Sequence, residues 1–158
     1  MKYGRNKKTI VLDEIDKKII HTLQEDCLTP FVNIARKLSV TEGTIRNRVK
    51  KLANNGIIKR FTVATDPIML GLHALAFVIV SIHPGRLQHV AQEIAKISSV
   101  LEVHEIHTYG DLLLKIRASD LSETANILSN QIKTIDGVAN SQVISVLNVW
   151  KDEVIHSL

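Results

Sequence analysis

The chain has 158 residues, enough for one medium-sized domain or two small ones, and its 45% hydrophobic content predicts an aliphatic core because aromatic residues make up only 4%. The longest uncharged apolar stretch, residues 74–82, is too short to cross a bilayer, and no apolar signal core follows the basic N-terminus. We therefore expect a cytoplasmic protein that contacts no membrane. The lone Cys27 excludes an intrachain disulfide, and without CxxC or HxxxH spacing we expect no metal, no cofactor and no catalytic site.

The charge is divided unevenly along the chain. Residues 1–61 hold 14 basic and 6 acidic side chains, a net charge of +8, whereas residues 62–158 hold 6 basic and 10 acidic side chains, a net charge of −4. A basic half joined to an acidic half indicates two domains with different partners. The basic half suits a polyanion, and the acidic half does not.

The first half predicts a helix-turn-helix. A helical pattern of apolar residues covers about Leu12 to Glu25, with Asp13 as its N-cap, and Pro30 ends that stretch and opens a second helix over Phe31–Leu38. A short connection then leads to a third helix that begins after Thr41. Two helices joined by so tight a turn, with a small residue between them, are typical of a helix-turn-helix.

The third helix is predicted to end at Asn54-Asn55-Gly56, a strong C-cap signal. Residues 57–64 then favour a β-strand, so we expect the helix-turn-helix to be winged. This first domain is placed at residues 1–61, and a connector at 62–71 carries Asp66-Pro67 and Gly71.

One face of the third helix is a candidate DNA-binding surface. Ile45, Val49 and Leu52 recur at helical spacing and predict one buried stripe, which leaves hydrogen-bond donors and positive charge on the other side. Such a face suits a DNA major groove, where phosphates supply affinity and base edges supply sequence discrimination. The predicted DNA-binding residues are Thr41, Thr44, Arg46, Asn47, Arg48, Lys50, Lys51, Lys59 and Arg60.

Two alternatives to this interpretation stay open. The basic face can be an ordinary solvated helix surface. Arg48 lies at the edge of the buried stripe and can pair with Asp16 or Glu42 without meeting DNA. We rank Thr44, Arg46, Asn47 and Lys50 above it, and we expect Lys59 and Arg60 in the wing to touch phosphates.

The second domain, residues 72–158, predicts a β-α-β-β-α-β order, the ferredoxin-like arrangement. Its fold class is therefore α+β. The predicted strands cover residues 72–82, 100–108, 112–117 and 138–150, and the predicted helices cover residues 86–97 and 120–133.

Two of these strands lack the alternation expected of a sheet with one solvated face. Residues 77–80 are consecutively apolar, and residues 143–149 are nearly so. Both faces of the sheet therefore look buried, and no further segment of the chain is available to cover the second face. The simplest cover is a second copy of the chain, which predicts a homodimer built sheet against sheet.

In this order of features the chain resembles the Lrp/AsnC family, also called feast/famine regulators, from about Leu12 to Lys151. The matching residues are Leu12, Asp13, Asp16 and Ile19, the stretch from Ile34 to Leu52, Gly56-Ile57-Ile58, Asp66-Pro67, Gly71, and the Gly110-Asp111 turn before an aliphatic strand. The resemblance implies a cytoplasmic transcriptional regulator that binds double-stranded DNA and responds to an amino acid or related metabolite. It also implies a homodimer that assembles further into a tetramer or octamer.

Departures from the family pattern concern the turn, the DNA-binding surface and the effector. Ser39 stands where the family usually has Gly, and Leu28 and Asn33 stand where it usually has Arg and Glu. Near the last strand, Ser141 and Val143 stand where two threonines are common, so only one hydroxyl is kept. We expect the first departure to strain the turn slightly and the last to alter the choice of effector.

The effector site implied by the resemblance is a cleft between associated dimers, lined by Tyr109, Gly110 and Asp111. The Asp111 carboxylate could accept a hydrogen bond from the ammonium group of an amino acid, and backbone N–H groups of the turn could donate to its carboxylate. His104 and Ser141 are weaker candidates. The alternative for Gly110 is a plain hairpin glycine at positive φ, and the alternative for His104 is an ordinary surface or interface histidine. The rival function is an amino-acid-binding module or small ferredoxin-like enzyme without specific DNA binding.

Overall fold

The computed structural model describes residues 11–107 and 109–152. The chain divides into two compact units, one up to Ala64 and one from Thr65. No helix within the described residues is long and apolar enough to cross a membrane.

The first unit contains the three predicted helices: α1 (Glu14–Glu25), α2 (Phe31–Leu38) and α3 (Glu42–Asn54). They enclose an aliphatic core to which each helix contributes one stripe. The buried residues are Ile19, Ile20, Leu23, Ile34, Ala35, Ile45, Val49 and Leu52. The predicted stripe of α3 is thus confirmed.

Side chains cap two of these helices as the sequence predicts. The Asp13 carboxylate accepts from the backbone N–H of Asp16 at 2.8 Å, and the Asp16 carboxylate accepts in return from the N–H of Asp13 at 3.4 Å. This is a reciprocal capping box made from two aspartates. The Thr41 hydroxyl accepts from the N–H of Thr44 at 3.1 Å and so caps α3.

The turn between α2 and α3 depends on Ser39, which has φ 55° and ψ 41° in the left-handed region. Its N–H and that of Val40 bond to the carbonyls at the end of α2, Arg36 and Ala35, at 3.4 and 3.0 Å. The left-handed residue reverses the chain within one position. That conformation explains why glycine would suit this position.

The predicted wing strand is wrong, because residues 57–64 form no strand. The N–H groups of Ile57 and Ile58 both bond to the carbonyl of Leu52, at 2.9 and 3.2 Å, and both side chains pack on the helical core. These backbone groups complete the end of α3 rather than a ladder. Beyond them the chain up to Ala64 is irregular and exposed.

The second unit has the predicted β-α-β-β-α-β order. Its elements are β1 (Ala74–Ile82), α4 (Leu87–Ile94), β2 (Val100–Glu105), β3 (Leu112–Ala118), α5 (Leu121–Ile127) and β4 (Val138–Ser145). The strands form one antiparallel sheet in the order β2-β3-β1-β4, which is the ferredoxin-like topology.

Element ends differ from the predictions in several places: β2 ends at Glu105 rather than at residue 108, and α4 ends at Ile94 rather than at residue 97. Helix α5 is shorter than expected and continues as a π-helical turn, Leu128–Ile132. Strand β4 ends at Ser145 rather than at residue 150, although the N–H of Val146 still bonds to the carbonyl of Leu75 at 2.9 Å. The apolar run after residue 145 therefore leaves the sheet.

The two faces of the sheet differ strongly. Val78, Val80, Leu112 and Leu114 point to one face and are fully buried with residues of α4 and α5. The opposite face, which we call the helix-free face, is defined by Phe77, Ile79, Leu113, Lys115 and Ile144, whose positions in the strand register place them side by side.

The expectation that no other segment of the chain can cover this second face is wrong. Asp152 follows β4 and reaches back to the helix-free face, where its carboxylate lies 3.7 Å from both Lys115 and Arg117. These two basic side chains are largely shielded, whereas Ile144 remains 49% exposed. The segment therefore covers one end of the helix-free face and leaves apolar surface at the other.

Candidate nucleic-acid interface and ligand site

Helix α3 presents a polar and basic surface opposite its buried stripe. Arg46, Asn47, Lys50 and Lys51 are all exposed. Lys50 and Lys51 have no ion-pair partner within the described part of the chain. The geometry thus brings donors and positive charge to one helix face, as the sequence predicts.

Arg46 is held by two neighbours. Its Nη2 donates to Oε1 of Glu42 at 2.6 Å, one helical turn earlier, and its guanidinium carbon lies 5.8 Å from the centre of the Phe31 ring at the start of α2. The first contact is an i,i+4 ion pair, and the second is within the range of a cation–π contact. Sequence reasoning missed this arrangement, although the four-residue spacing of Glu42 and Arg46 could have indicated it.

Arg48 turns toward α1 instead of outward. Its Nη1 donates to Asp13 at 2.6 Å and to Asp16 at 2.8 Å, so the predicted pairing with Asp16 is confirmed and the alternative pairing with Glu42 is not formed. The N–H of Asp16 and then the Arg48 guanidinium lower the pKa of Asp13, and these carboxylates raise the pKa of Arg48. Arg48 therefore ties α3 to the start of α1.

The remaining predicted DNA contacts lie at the ends of α3. Thr41 and Thr44 share a hydrogen bond between their hydroxyls at 2.9 Å, so each can still offer one further bond. Lys59 and Arg60 are exposed on the irregular segment after α3. They flank the helix without the support of a strand.

The predicted effector turn, residues 109–111, joins β2 to β3 and is anchored to β1. The N–H of Asp111 donates to the carbonyl of Val80 at 2.9 Å, and its carboxylate accepts from the N–H of Ile82 at 2.7 Å. Ile82 stands where the pairing of β1 with β4 shifts register. Asp111 thus completes the hydrogen bonding at the end of β1, a structural role that sequence reasoning missed.

Gly110 is required for space rather than for its backbone conformation. A Cβ placed there would lie 2.5 Å from Cγ2 of Ile79 and 3.2 Å from the carbonyl oxygen of Val80. Its φ lies outside the left-handed region. The prediction of a positive-φ hairpin glycine is therefore wrong, and the turn instead packs directly on β1.

The other effector candidates lie in the strands β4 and β2. Ser141 pairs with Val80 from the far side of β1, and its Oγ is buried with no hydrogen-bond partner in the described residues. His104 lies on the helix-free face and bonds to Glu102 at 2.8 Å, a contact that with Lys115 lowers the pKa of that glutamate. Tyr109 is 84% exposed.

Family models match both units of the chain. An AsnC-type helix-turn-helix domain matches residues 12–53, and an Lrp/AsnC ligand-binding domain matches residues 75–155. The chain belongs to the Lrp/AsnC family. It is a transcriptional regulator with an N-terminal DNA-binding domain and a C-terminal ligand-binding domain, as the resemblance of its sequence predicted.

Relatives of this Lrp/AsnC protein align with it over nearly its whole length. It is 36% identical to the HTH-type transcriptional regulator FL11 of Pyrococcus furiosus over 142 residues, 90% of this chain and 93% of that one. It is 38% identical to FL11 of Pyrococcus horikoshii over 143 residues, again 90% of this chain and 94% of that one. The similarity thus spans both domains.

Solved structures confirm the fold of the Lrp/AsnC chain. Escherichia coli AsnC superposes with a TM-score of 0.87 at 21% identity and covers 92% of this chain and 99% of its own. The regulator NMB0573 of Neisseria meningitidis, solved with L-Met, superposes with a TM-score of 0.83 at 24% identity over 91% of this chain and 95% of its own. Both contain the same α+β arrangement.

Proposed function

We propose that this regulator reads double-stranded DNA with α3 as a homodimer and that an amino acid bound near the turn at residues 109–111 controls it. The observation that carries the proposal is the exposed face of α3, where Arg46, Asn47, Lys50 and Lys51 gather opposite a buried stripe. Phosphate contacts from the lysines would position the helix, and side chains with paired donors would read base edges.

The helix-free face supports the dimer. Phe77, Ile79 and Leu113 are only half-buried, and Ile144 is exposed. Beyond β4, Leu147 and Trp150 are 97% and 91% exposed, which adds apolar surface next to the sheet. Exposed apolar surface of this kind is typical of an association site, and a two-fold axis lets one patch serve both copies. Further assembly into tetramers or octamers is part of the same proposal.

The proposed effector is an amino acid. The family model for the second unit is a ligand-binding domain, and a structural neighbour was solved with L-Met. In this chain the turn offers an exposed Tyr109 and the remaining acceptor capacity of the Asp111 carboxylate, which suits an ammonium group. Ser141 and His104 remain weaker candidates, because Ser141 lies across β1 from the turn and His104 already bonds to Glu102. The proposed compartment is the cytoplasm.

DNA recognition by α3 is tested with a binding site selected from a pool of random duplexes. Asn47→Ala should lower the ratio of specific to non-specific affinity by about tenfold if Asn47 reads a base. Lys59→Ala should weaken binding to all DNA sequences alike. It should also reduce the slope of log affinity against log salt concentration by about one unit for a lost phosphate contact. Unchanged ratios for both Asn47→Ala and Arg46→Ala would exclude α3 as the reading element.

The effector site is tested with Asp111→Asn, measured by calorimetry against the twenty amino acids. Asparagine keeps an oxygen that can accept from the N–H of Ile82 but loses the charge that would hold an ammonium group. We expect the variant to fold normally, to bind DNA without effector and to lose amino-acid binding. If its amino-acid affinity equals that of the natural chain, the effector lies elsewhere.

A further inference from the structure

The Arg46 contacts suggest more than a basic face, because Glu42 places a negative charge in the surface that would approach DNA. Its side chain is 45% exposed and that of Arg46 is 66% exposed. Ion pairs of this kind within one exposed helix contribute little to protein stability. Stability of α3 is therefore a weak reason for the pair, and a carboxylate at this position repels phosphates.

We propose that Glu42 and Phe31 are positioning residues for sequence discrimination, which hold the Arg46 guanidinium for contact with a guanine in the major groove. The inference rests on the proposed recognition of DNA by α3. A guanidinium has five N–H donors, so the bond to Glu42 leaves others for the O6 and N7 acceptors of guanine. The guanidinium carbon also lies 5.8 Å from the centre of the Phe31 ring, a cation–π contact that would favour this orientation of Arg46.

The charge arrangement also separates the roles of the cations on this face. Lys50 and Lys51 are exposed and, in the part of the chain that the structure describes, have no ion-pair partner. They suit phosphates, which require only positive charge. Arg46 is neutralised by Glu42, so its contribution to phosphate binding is small, whereas its directional hydrogen bonding is retained. An arginine held in this way discriminates between bases more than it adds general affinity.

Glu42→Gln in the full-length chain tests this assignment. Dissociation constants are measured for a duplex selected from random DNA and for a scrambled duplex of the same composition. We expect Glu42→Gln to bind the scrambled duplex several-fold more tightly and to lower the specific-to-non-specific ratio by about tenfold. Glu14→Gln is the matched control, because it removes one acidic charge and one exposed ion pair, with Lys17, without touching Arg46.

A second measurement identifies the base. Replacing single guanines of the selected duplex by 7-deazaguanine removes the N7 acceptor and leaves the rest of the site intact. We expect one such replacement to lower the DNA affinity of the natural chain by about tenfold and that of Arg46→Ala hardly at all. The affinity losses of Glu42→Gln and Phe31→Leu should be intermediate. Leucine at position 31 keeps an apolar side chain against the helical core.

The outcomes distinguish this inference from the function on which it rests. If the natural chain selects no sequence, the proposed DNA recognition fails and the inference falls with it. If it selects a sequence but Glu42→Gln keeps the natural ratio, only the inference is overturned. The same holds if no guanine shows a 7-deaza effect that depends on Arg46. Thermal unfolding of each variant checks that the fold is intact. If Phe31→Leu does not fold, the result for Glu42→Gln decides the inference by itself.

Discussion

Ser39 has the strained backbone conformation in the helix-turn-helix, with φ at 55°. A non-glycine residue in the left-handed region is disfavoured by about 1–2 kcal/mol, and Ser39 is exposed. We expect Ser39→Gly to raise the unfolding free energy by about 1 kcal/mol, somewhat reduced by the flexibility of glycine in the unfolded chain. Thermal unfolding followed by circular dichroism measures the change. Ser39→Ala is the matched control and should not stabilise, since alanine keeps a Cβ; equal stabilisation by both variants would contradict the argument.

Gly110 is required for a different reason from the one at position 39, because a Cβ at position 110 would overlap neighbouring atoms. Gly110→Ala places a Cβ against Ile79 and the backbone of Val80, so we expect a loss of about 1–3 kcal/mol in unfolding free energy from overpacking. Gly43→Ala is the control, because a Cβ added to Gly43 in α3 would lie an unstrained 3.8 Å from Oγ1 of Thr41, and alanine in a helix should stabilise. Denaturant unfolding of both variants checks the opposite signs. A neutral Gly110→Ala would show that the turn can move off β1.

At the residue scale, local contacts were predictable and the choice between competing partners was not. The caps Asp13 and Thr41 follow from residue type and position, because a cap involves only neighbouring backbone. Arg48 had two candidate acids, and the choice of Asp16 over Glu42 depends on how α1 crosses α3. The space beside Gly110 depends on how closely the turn approaches β1, which no local pattern records.

At the element scale, the contact of Arg48 with Asp13 and Asp16 joins α3 to the start of α1. Asp16 and Arg48 are partly shielded, so replacing Arg48 by glutamine leaves carboxylates without their cation. We expect Arg48→Gln to lower Tm by a few degrees at neutral pH. Lys50→Gln, which removes the same charge from an exposed position of α3, should leave Tm nearly unchanged.

The pH dependence of this contact has a definite sign. Folding lowers the pKa of Asp13, so its contribution to stability is present above the ordinary aspartate pKa and is lost as pH falls through the lower folded value. Arg48 is one cause of that shift. The difference in Tm between the natural chain and Arg48→Gln should therefore shrink below about pH 4. A difference that stays constant from pH 7 to pH 3 would exclude the ion pair as its origin.

Elements with strong periodicity were predictable, whereas two extended segments next to them were not. The three helices of the first unit match their predicted positions because apolar spacing and caps agree. Residues 57–64 and 146–150 have strand-like composition but form no strand. A strand needs a partner, and composition does not show whether one is available. In the first segment the backbone instead completes the end of α3.

At the scale of the whole molecule, the helix-free face of the sheet is only partly covered by the described residues of the chain. Asp152 shields Lys115 and Arg117 at one end of the helix-free face, so charge that would oppose association is already paired within the chain. Phe77, Ile79, Leu113 and Ile144 remain at least partly open to solvent. The doubly apolar strands were visible in the sequence, whereas the partial cover was not, because it depends on where the chain turns after β4.

Adjacent positions in β4 allow a direct test of the proposed dimer. Ile144 is 49% exposed on the helix-free face, and Val143 is 45% exposed on the opposite face, where it pairs with Val78. Aspartate at position 144 would be tolerated by the isolated chain but would bury an unpaired charge in a dimer, which is strongly unfavourable.

We expect Ile144→Asp to sediment as a monomer and to lose the affinity gained from two half-sites separated by about 10 base pairs or a multiple. Val143→Asp should remain dimeric at the same concentration. Dissociation by Val143→Asp, with Ile144→Asp still a dimer, would place the interface on the other side of the sheet.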